Sequence, residues 1–372
     1  MISGPRKIVV AAAIALGFGL GLAGGAAVAQ SDWQAGGGEK WQQVVAAAKK
    51  EGKVVVAGQP ALGDPFTKNF KRDTGIELEF MAGNPRDLSA RFNNEARASN
   101  LTIDVILSGG SQFPLMESGH LVELKPLLIL PGSADGPHYP DGKTKWMDSA
   151  GTYMFQGASY LFSYPMFNSD QIKPGTVKNW KDLVKPEFKG KIAVYDPRSG
   201  GPGQAVAAYV TDVFGVDFLK QLYVGQDVKY TRDGRQLVEW VARGVHPIAL
   251  GASQTDVEMF RKQGMKNLEV LSMGDGPGSV VGGFSVLKIA KGAPHPNAAT
   301  VFLNWFASQP GQQTYTDAME EPSRRKDVKI DHLPSYIIPK PGVKYVDQYE
   351  ENWYLRVRPK VEKDVVDALG GR

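Results

Sequence analysis

The chain of 372 residues contains no cysteine. A disulfide scaffold, a Cys-ligated zinc, a thiol nucleophile and a lipid-modified N-terminal cysteine are therefore excluded. Histidine is scarce: His120, His138, His246, His295 and His332 are scattered without ligand spacing, and no H-E-x-x-H occurs. A G-x-S-x-G elbow is also missing, since "GFSVL" and "GASQT" each lack the final glycine. "GPHYPDGKT" (136–144) places five residues between Gly136 and Gly142 where a phosphate loop requires four, and no strand precedes it. No pair of acids is spaced for acid/base work, so an enzyme is not expected and no cofactor or metal is assigned. A strong charge of either sign is absent too. Lys and Arg total 43 against 39 Asp and Glu, a net +4, too near neutral to argue for nucleic acid or an anionic membrane.

Long uncharged apolar runs are absent except at the N-terminus. There Arg6 and Lys7 precede "IVVAAAIALGFGLGLAGGAAVAQ", which ends in the A-x-A site Ala27-Val28-Ala29. This is the pattern of a cleaved secretory signal peptide over residues 1–29; the alternative is an uncleaved anchor. The expected location is the periplasm, without lipidation. The length exceeds that at which single cores stop growing, which predicts two domains.

What is present is alternation. "EKWQQVVAAAKKEGK" puts Trp41, Val44, Val45 and Ala48 on one helical face, "KVVVAG" reads as a buried strand, and helix and strand signals continue through "IDVIL" (103–107). The pattern restarts at "GKIAVYD" and runs to "LEVLSM". Such alternation predicts an α/β protein whose sheets, mixed but mostly parallel, are flanked by helices, with ligands beyond the carboxyl ends of the strands. Two runs break it: "TYMFQGASYLFSYPMFN" (152–168) and "GSVVGGFSVLKIA" (278–290) are extended and have no helical stop. They read as crossings between lobes. The expected organisation is lobe 1 over 30–155, lobe 2 over 156–277, a return segment to lobe 1 over 278–321, and a C-terminal wrap over 322–372.

The loop in "AVYDPRSGGPGQAVAAYV" (193–210) joins a strand to an apolar helix. A helix N-terminus offers unpaired N–H groups and the positive end of its dipole, which suits an anion. Gly200 and Gly201 permit close backbone approach, and Ser199 and Arg198 add donors. The plainer reading is a capped helix with a solvated arginine. "YTRDGRQLVEW" offers Arg232 and "LGASQT" offers Ser253 at similar strand-to-helix positions, while loops 58–63 and 108–112 offer Gln59, Ser108 and Ser111.

The stretches "WQQVVAAAKKEGKVVVAG", "WKDLVKPEFKGKIAVYDPRSGGPG", "VARGVHPIALGAS" and "GGFSVLKIAKGAPHPNAATVFLNWFASQPGQQ" resemble, in order, the periplasmic solute-binding proteins of ABC importers. The likeness is to the ferric-iron-binding type and its relatives for phosphorylated or carboxylated solutes. It implies a type II periplasmic-binding-protein fold of two lobes joined by hinge strands, closing over a solute and docking on an inner-membrane permease. It also implies iron ligands that this sequence lacks. "GASQTD" has no tyrosine pair, Pro60 stands near the expected histidine, and "SGGSQ" has no glutamate. The anion subsite of those relatives corresponds to Ser199-Gly200. The expectation is thus a monomeric receptor for a small organic anion, held by Ser199, Gly200 and Gly201 with Arg198 or Arg232. Gln59, Ser108, Ser111 and Ser253 complete its polar contacts, and Tyr160, Phe162 and Phe284 pack against its carbon skeleton. The alternatives are ferric iron or its chelate, thiamine or a polyamine as solute, or an exported enzyme.

Overall fold

A computed structural model describes residues 33–370 apart from positions 163, 200 and 272, so the signal-peptide reading and Gly200 lie outside the described residues. The first helix, α1 (Gly38–Glu51), stops where Gly52 turns left-handed at φ 83° and returns its N–H to the Ala48 carbonyl. Then β1 (Lys53–Gly58), α2 (Gly63–Thr74), β2 (Glu77–Ala82), α3 (Pro85–Arg97), β3 (Val105–Ser108) and the short α4 (Phe113–Glu117) follow in alternation. After β4 (Lys145–Trp146), the first extended run breaks into β5 (Phe155–Gln156), β6 (Tyr160–Phe162) and β7 (Met166–Asn168). Alternation resumes with β8 (Ile192–Tyr195), α5 (Gly201–Phe214), α6 (Val216–Lys220), β9 (Lys229–Thr231), α7 (Gly234–Ala242), β10 (Ile248–Leu250), α8 (Gln254–Lys262) and β11 (Leu268–Val270). The second extended run gives β12 (Ser279–Val281) and β13 (Val286–Ile289). It is followed by α9 (Pro296–Ala307), α10 (Gln309–Met319), β14 (Val346–Asp347) and α11 (Arg358–Leu369).

Among the described residues three sheets result, with orders β2-β1-β3-β13-β5-β4, β11-β7-β10-β8-β9 and β14-β12-β6. Each large sheet holds a parallel trio, β2-β1-β3 in the first lobe and β10-β8-β9 in the second. Its antiparallel members, β13, β5 and β4 in one and β7 and β11 in the other, come mostly from the crossing segments. The 152–168 run thus contributes one strand to each sheet, and β6 pairs antiparallel with β12 as the hinge. The C-terminal region adds β14 parallel to β12, a third crossing.

Separate cores hold the lobes. In the first, Phe66 and Phe70 of α2 meet Phe302, Trp305 and Phe306 of α9, all fully buried. In the second, Trp180, Tyr209, Leu219 and Leu222 surround Ile192 and Val194 of β8. The two large sheets thus pack on separate cores.

Candidate functional site

The second-lobe side is organised by one carboxylate. Asp196, buried directly after β8, donates its N–H to the Thr231 carbonyl at 2.7 Å, which ties the ends of β8 and β9 together. Its side chain accepts from the Arg198 N–H (3.0 Å), Arg198 Nε (2.8 Å), Arg198 Nη2 (3.2 Å) and Arg232 Nε (3.4 Å). Burial pushes the Asp196 carboxyl up, but hydrogen bonds and charge from Arg198, with help from Arg232, outweigh it and hold the group below its usual range. Arg198 also lies over the Tyr230 ring, 5.1 Å from its centroid. Arg232 keeps 65% of its side chain exposed, so it is the freer cation.

This cluster sits at the start of α5. Gly201 begins that helix at φ 67°, a conformation open to glycine. Ser199 donates its hydroxyl to the Asp196 carbonyl at 2.7 Å, so the proton expected for a solute is used on the backbone. Gly203 is pressed against the end of β8: a Cβ there would lie 2.7 Å from the Tyr195 carbonyl carbon. Two guanidinium groups against one carboxylate, at the positive end of a fourteen-residue helix, leave a surplus of positive charge.

On the first-lobe side, Ser108 is buried and donates to Gln112 Oε1 at 2.8 Å. Ser111 is exposed and donates to Ser89 Oγ at 2.9 Å. Below them lies Lys288, with no exposed surface, its Nζ 2.8–2.9 Å from the carbonyls of Ser108, Gly109 and Val286 and from Ser108 Oγ. Burial alone pushes its pKa well below the lysine range, while four oxygens satisfy its N–H donors. Gln59 follows β1 and accepts the Leu62 N–H on its carbonyl, opening a short 3-10 turn over Pro60–Leu62.

At the hinge, the rings of Tyr160 and Phe162 meet edge-on, 6.5 Å apart. They line a cavity of about 40 Å³ together with Gly251, Ala252, Gln254 and Tyr336. A water needs roughly 10–15 Å³ of such space, so this cavity admits a few waters and no organic solute. Tyr336 closes it, donating to Gln254 Oε1 (2.8 Å), accepting from Arg261 Nη1 (2.8 Å) and lying 5.3 Å under that guanidinium. Ser253 caps α8, accepting the Asp256 N–H at 3.1 Å and donating to Asp256 Oδ2 at 2.6 Å. Ser253→Ala is expected to cost about 1 kcal/mol of stability, read as a lower urea midpoint. Phe284 packs against the first-lobe core instead of this cavity.

The structure therefore brings Arg198, Ser199, Gly201 and Arg232 together, places Ser108 and Ser111 on the opposite lobe around Gln112, and sets Tyr160 and Ser253 near the Tyr336 cavity. Sequence reasoning missed Lys288 and Glu321. Lys288 carries a signal, a lone charge within the apolar run "SVLKIA". Glu321 is buried among Tyr315, which donates a short hydrogen bond to it, and Tyr160. Burial raises it to about 7 against those two hydrogen bonds, and nothing in "AMEEPSRR" marks it.

Comparison with known proteins places this geometry. An uncharacterized protein of Haemophilus influenzae is 26% identical over 282 residues, 73% of this chain and 77% of its own. Iron-bound HitA of Pseudomonas aeruginosa superposes with a TM-score of 0.65 at 18% identity, covering 84% of this chain and 99% of HitA. AfuA of Actinobacillus pleuropneumoniae, with fructose-6-phosphate bound, gives 0.60 at 19% identity, covering 84% and 98%. At these identities the structural likeness carries the fold, the two-lobed type II arrangement built above. A family model for the bacterial extracellular solute-binding protein matches residues 65–332, which runs from α2 through α10 and takes in every strand except β1 and β14. The chain belongs to the bacterial extracellular solute-binding protein family.

Proposed function

We propose that this protein is a monomeric periplasmic receptor. It captures a small organic anion (a carboxylate, phosphonate or phosphate ester) between its lobes and delivers it unchanged to an ABC permease of the inner membrane. The observation that carries this reading is the gathering of Arg198 and Arg232 by Asp196 at the N-terminus of α5. One carboxylate pre-positions two guanidinium groups at a helix N-terminus, an arrangement suited to an oxyanion. AfuA, of the same fold, holds a sugar phosphate. Direct iron capture has less support, because among the described residues no cluster of three or more His, Cys, Asp or Glu is positioned for a metal.

The test is thermal unfolding with citrate, a phosphonate, a sugar phosphate and ferric chloride in separate samples. One organic anion is expected to raise Tm, since a ligand at 100 times its Kd stabilises by about 2.7 kcal/mol. Arg232→Gln is expected to abolish that rise while leaving the Tm of the unliganded protein within a degree or so, as an exposed arginine contributes little to stability. Stabilisation by the ferric ion alone overturns the proposal.

A further inference from the structure

The family match ends at residue 332, and the chain then crosses the hinge a third time. From the end of β14 to the start of α11, residues 347–358 touch both halves of the proposed cleft. Toward the first lobe, Lys145 Nζ bonds Asp347 Oδ2 at 2.7 Å and the Ser149 N–H bonds Glu351 Oε2 at 2.5 Å. Tyr349 donates to the Gly283 carbonyl at 3.0 Å, and the Tyr354 ring lies 5.4 Å from that of Phe113. Toward the second lobe, Gln348 Nε2 donates to the Ala205 carbonyl at 3.0 Å, Arg358 Nη2 to Gln204 Oε1 at 3.3 Å and Trp353 Nε1 to Asp212 Oδ2 at 3.0 Å.

The glycines after β3 explain how the tail is seated. A Cβ at Gly109 would lie 3.2 Å from the Tyr349 hydroxyl, and one at Gly110 would lie 2.7 Å from Tyr354 Cζ. A Cβ at Gly282 would lie 2.9 Å from Tyr349 Cδ1. Missing side chains thus open a recess at the carboxyl end of β3, where an open α/β sheet receives its ligand. Two tyrosines of the same chain fill it, joining the apolar cluster of Phe113, Leu115 and Met147. The same stretch bonds the first turn of α5, beside the Arg198 and Arg232 cluster.

We infer that residues 347–358 are an internal plug, which must leave the glycine recess before a solute enters. The inference rests on reading the cleft between loops 108–112 and 198–204 as the solute site. The plug is anchored on the second lobe, where Trp353, Val361 and Val365 are buried against α5 and its neighbours. Its first-lobe attachments are a partly exposed ion pair, two hydrogen bonds and ring contacts, and these are the ones that part. A site open only a fraction of the time shows its intrinsic Kd divided by that fraction.

The experiment compares wild type with the double variant Tyr349→Ala/Tyr354→Ala, and with Asp347→Asn/Glu351→Gln, which loosens the tail without removing a ring. Affinity for the anion that raises Tm is measured by calorimetry, and amide exchange of residues 109–113 is followed without solute. Both variants are expected to bind about tenfold tighter or more, the size set by the closed fraction, and to exchange faster at 109–113. Unchanged or weaker affinity overturns the plug. If none of the anions binds any of the three proteins, the anion reading falls, and exchange still decides. Faster exchange in the variants then supports the seating of the tail, and unchanged exchange overturns it. Should the tyrosine variant fail to fold, the Asp347/Glu351 variant carries the same outcomes.

Discussion

Trp305→Ala is expected to remove about 3–5 kcal/mol of stability, the range for deleting a fully buried large aromatic. Trp305 has no exposed surface and stands 5.4 Å from Phe66, 5.4 Å from Phe70 and 5.7 Å from Phe302, mostly edge-on, as ring quadrupoles prefer. Its Nε1 donates to Asp73 Oδ2 at 2.9 Å, and Asp73 is almost wholly buried, so the truncation leaves a cavity and also costs a buried carboxylate one of its donors. Arg72 still bonds Asp73 at 2.7 Å, which limits that second cost. Because the lobes have separate cores, denaturant unfolding should show the first-lobe transition at a lower midpoint, with the second-lobe transition nearly unmoved. A uniform shift of both, or a loss below about 1 kcal/mol, contradicts the packing described.

Lys288→Met is expected to cost roughly 2–4 kcal/mol, a balance of two opposed terms. Methionine removes a charge that burial disfavours, a gain. It also strips the donor from three backbone carbonyls and the Ser108 hydroxyl oxygen, each worth about 1–3 kcal/mol if left unsatisfied. Part of that loss is recovered where carbonyls keep a strand partner, as Ser108 does through its pairing with Val286. The pH dependence separates the terms. Burial lowers Lys288 well below 10.5 in the folded state, so between its folded pKa and 10.5 the unfolded chain binds more protons. Stability from this group therefore rises with pH through that window. The gap between wild type and Lys288→Met should widen as pH climbs toward 10.5, read from urea midpoints at stepped pH. A gap that stays flat or narrows means that Lys288 is not titrating as a buried amine.

Much of the fold was legible because it depends on local pattern. The alternation of apolar strands with amphipathic helices, the glycine stop at Gly52 and the break between α9 and α10 at Ser308 follow from spacing and capping chemistry. The two extended runs stood out because they lack helical stops. What stayed hidden depends on strand order and distant partners. Arg232 reaches Asp196 across 36 residues because β8 and β9 pair in parallel, Tyr195 beside Thr231, a register that no local signal encodes. Lys288 finds three of its four oxygens 179–180 residues upstream. The third crossing is a strand of two residues in "KYVDQYEE", specified by β12 and not by its own hydrophobicity. Ser199 looked free because a hydroxyl near a helix start has several possible acceptors, and the backbone chosen here is its near neighbour Asp196.

The division of strands among the sheets also sets an order of assembly. The second lobe draws all its strands from Met166–Val270, one unbroken stretch whose most distant pairing joins Met166–Asn168 to Leu268–Val270. In the first lobe, β13 lies between β3 and β5, and it arrives only after the whole second lobe has been made. Closing that gap spans a long loop, and distant pairing is slow. The inserted sheet is therefore expected to form before the flanking one, which completes when the chain returns.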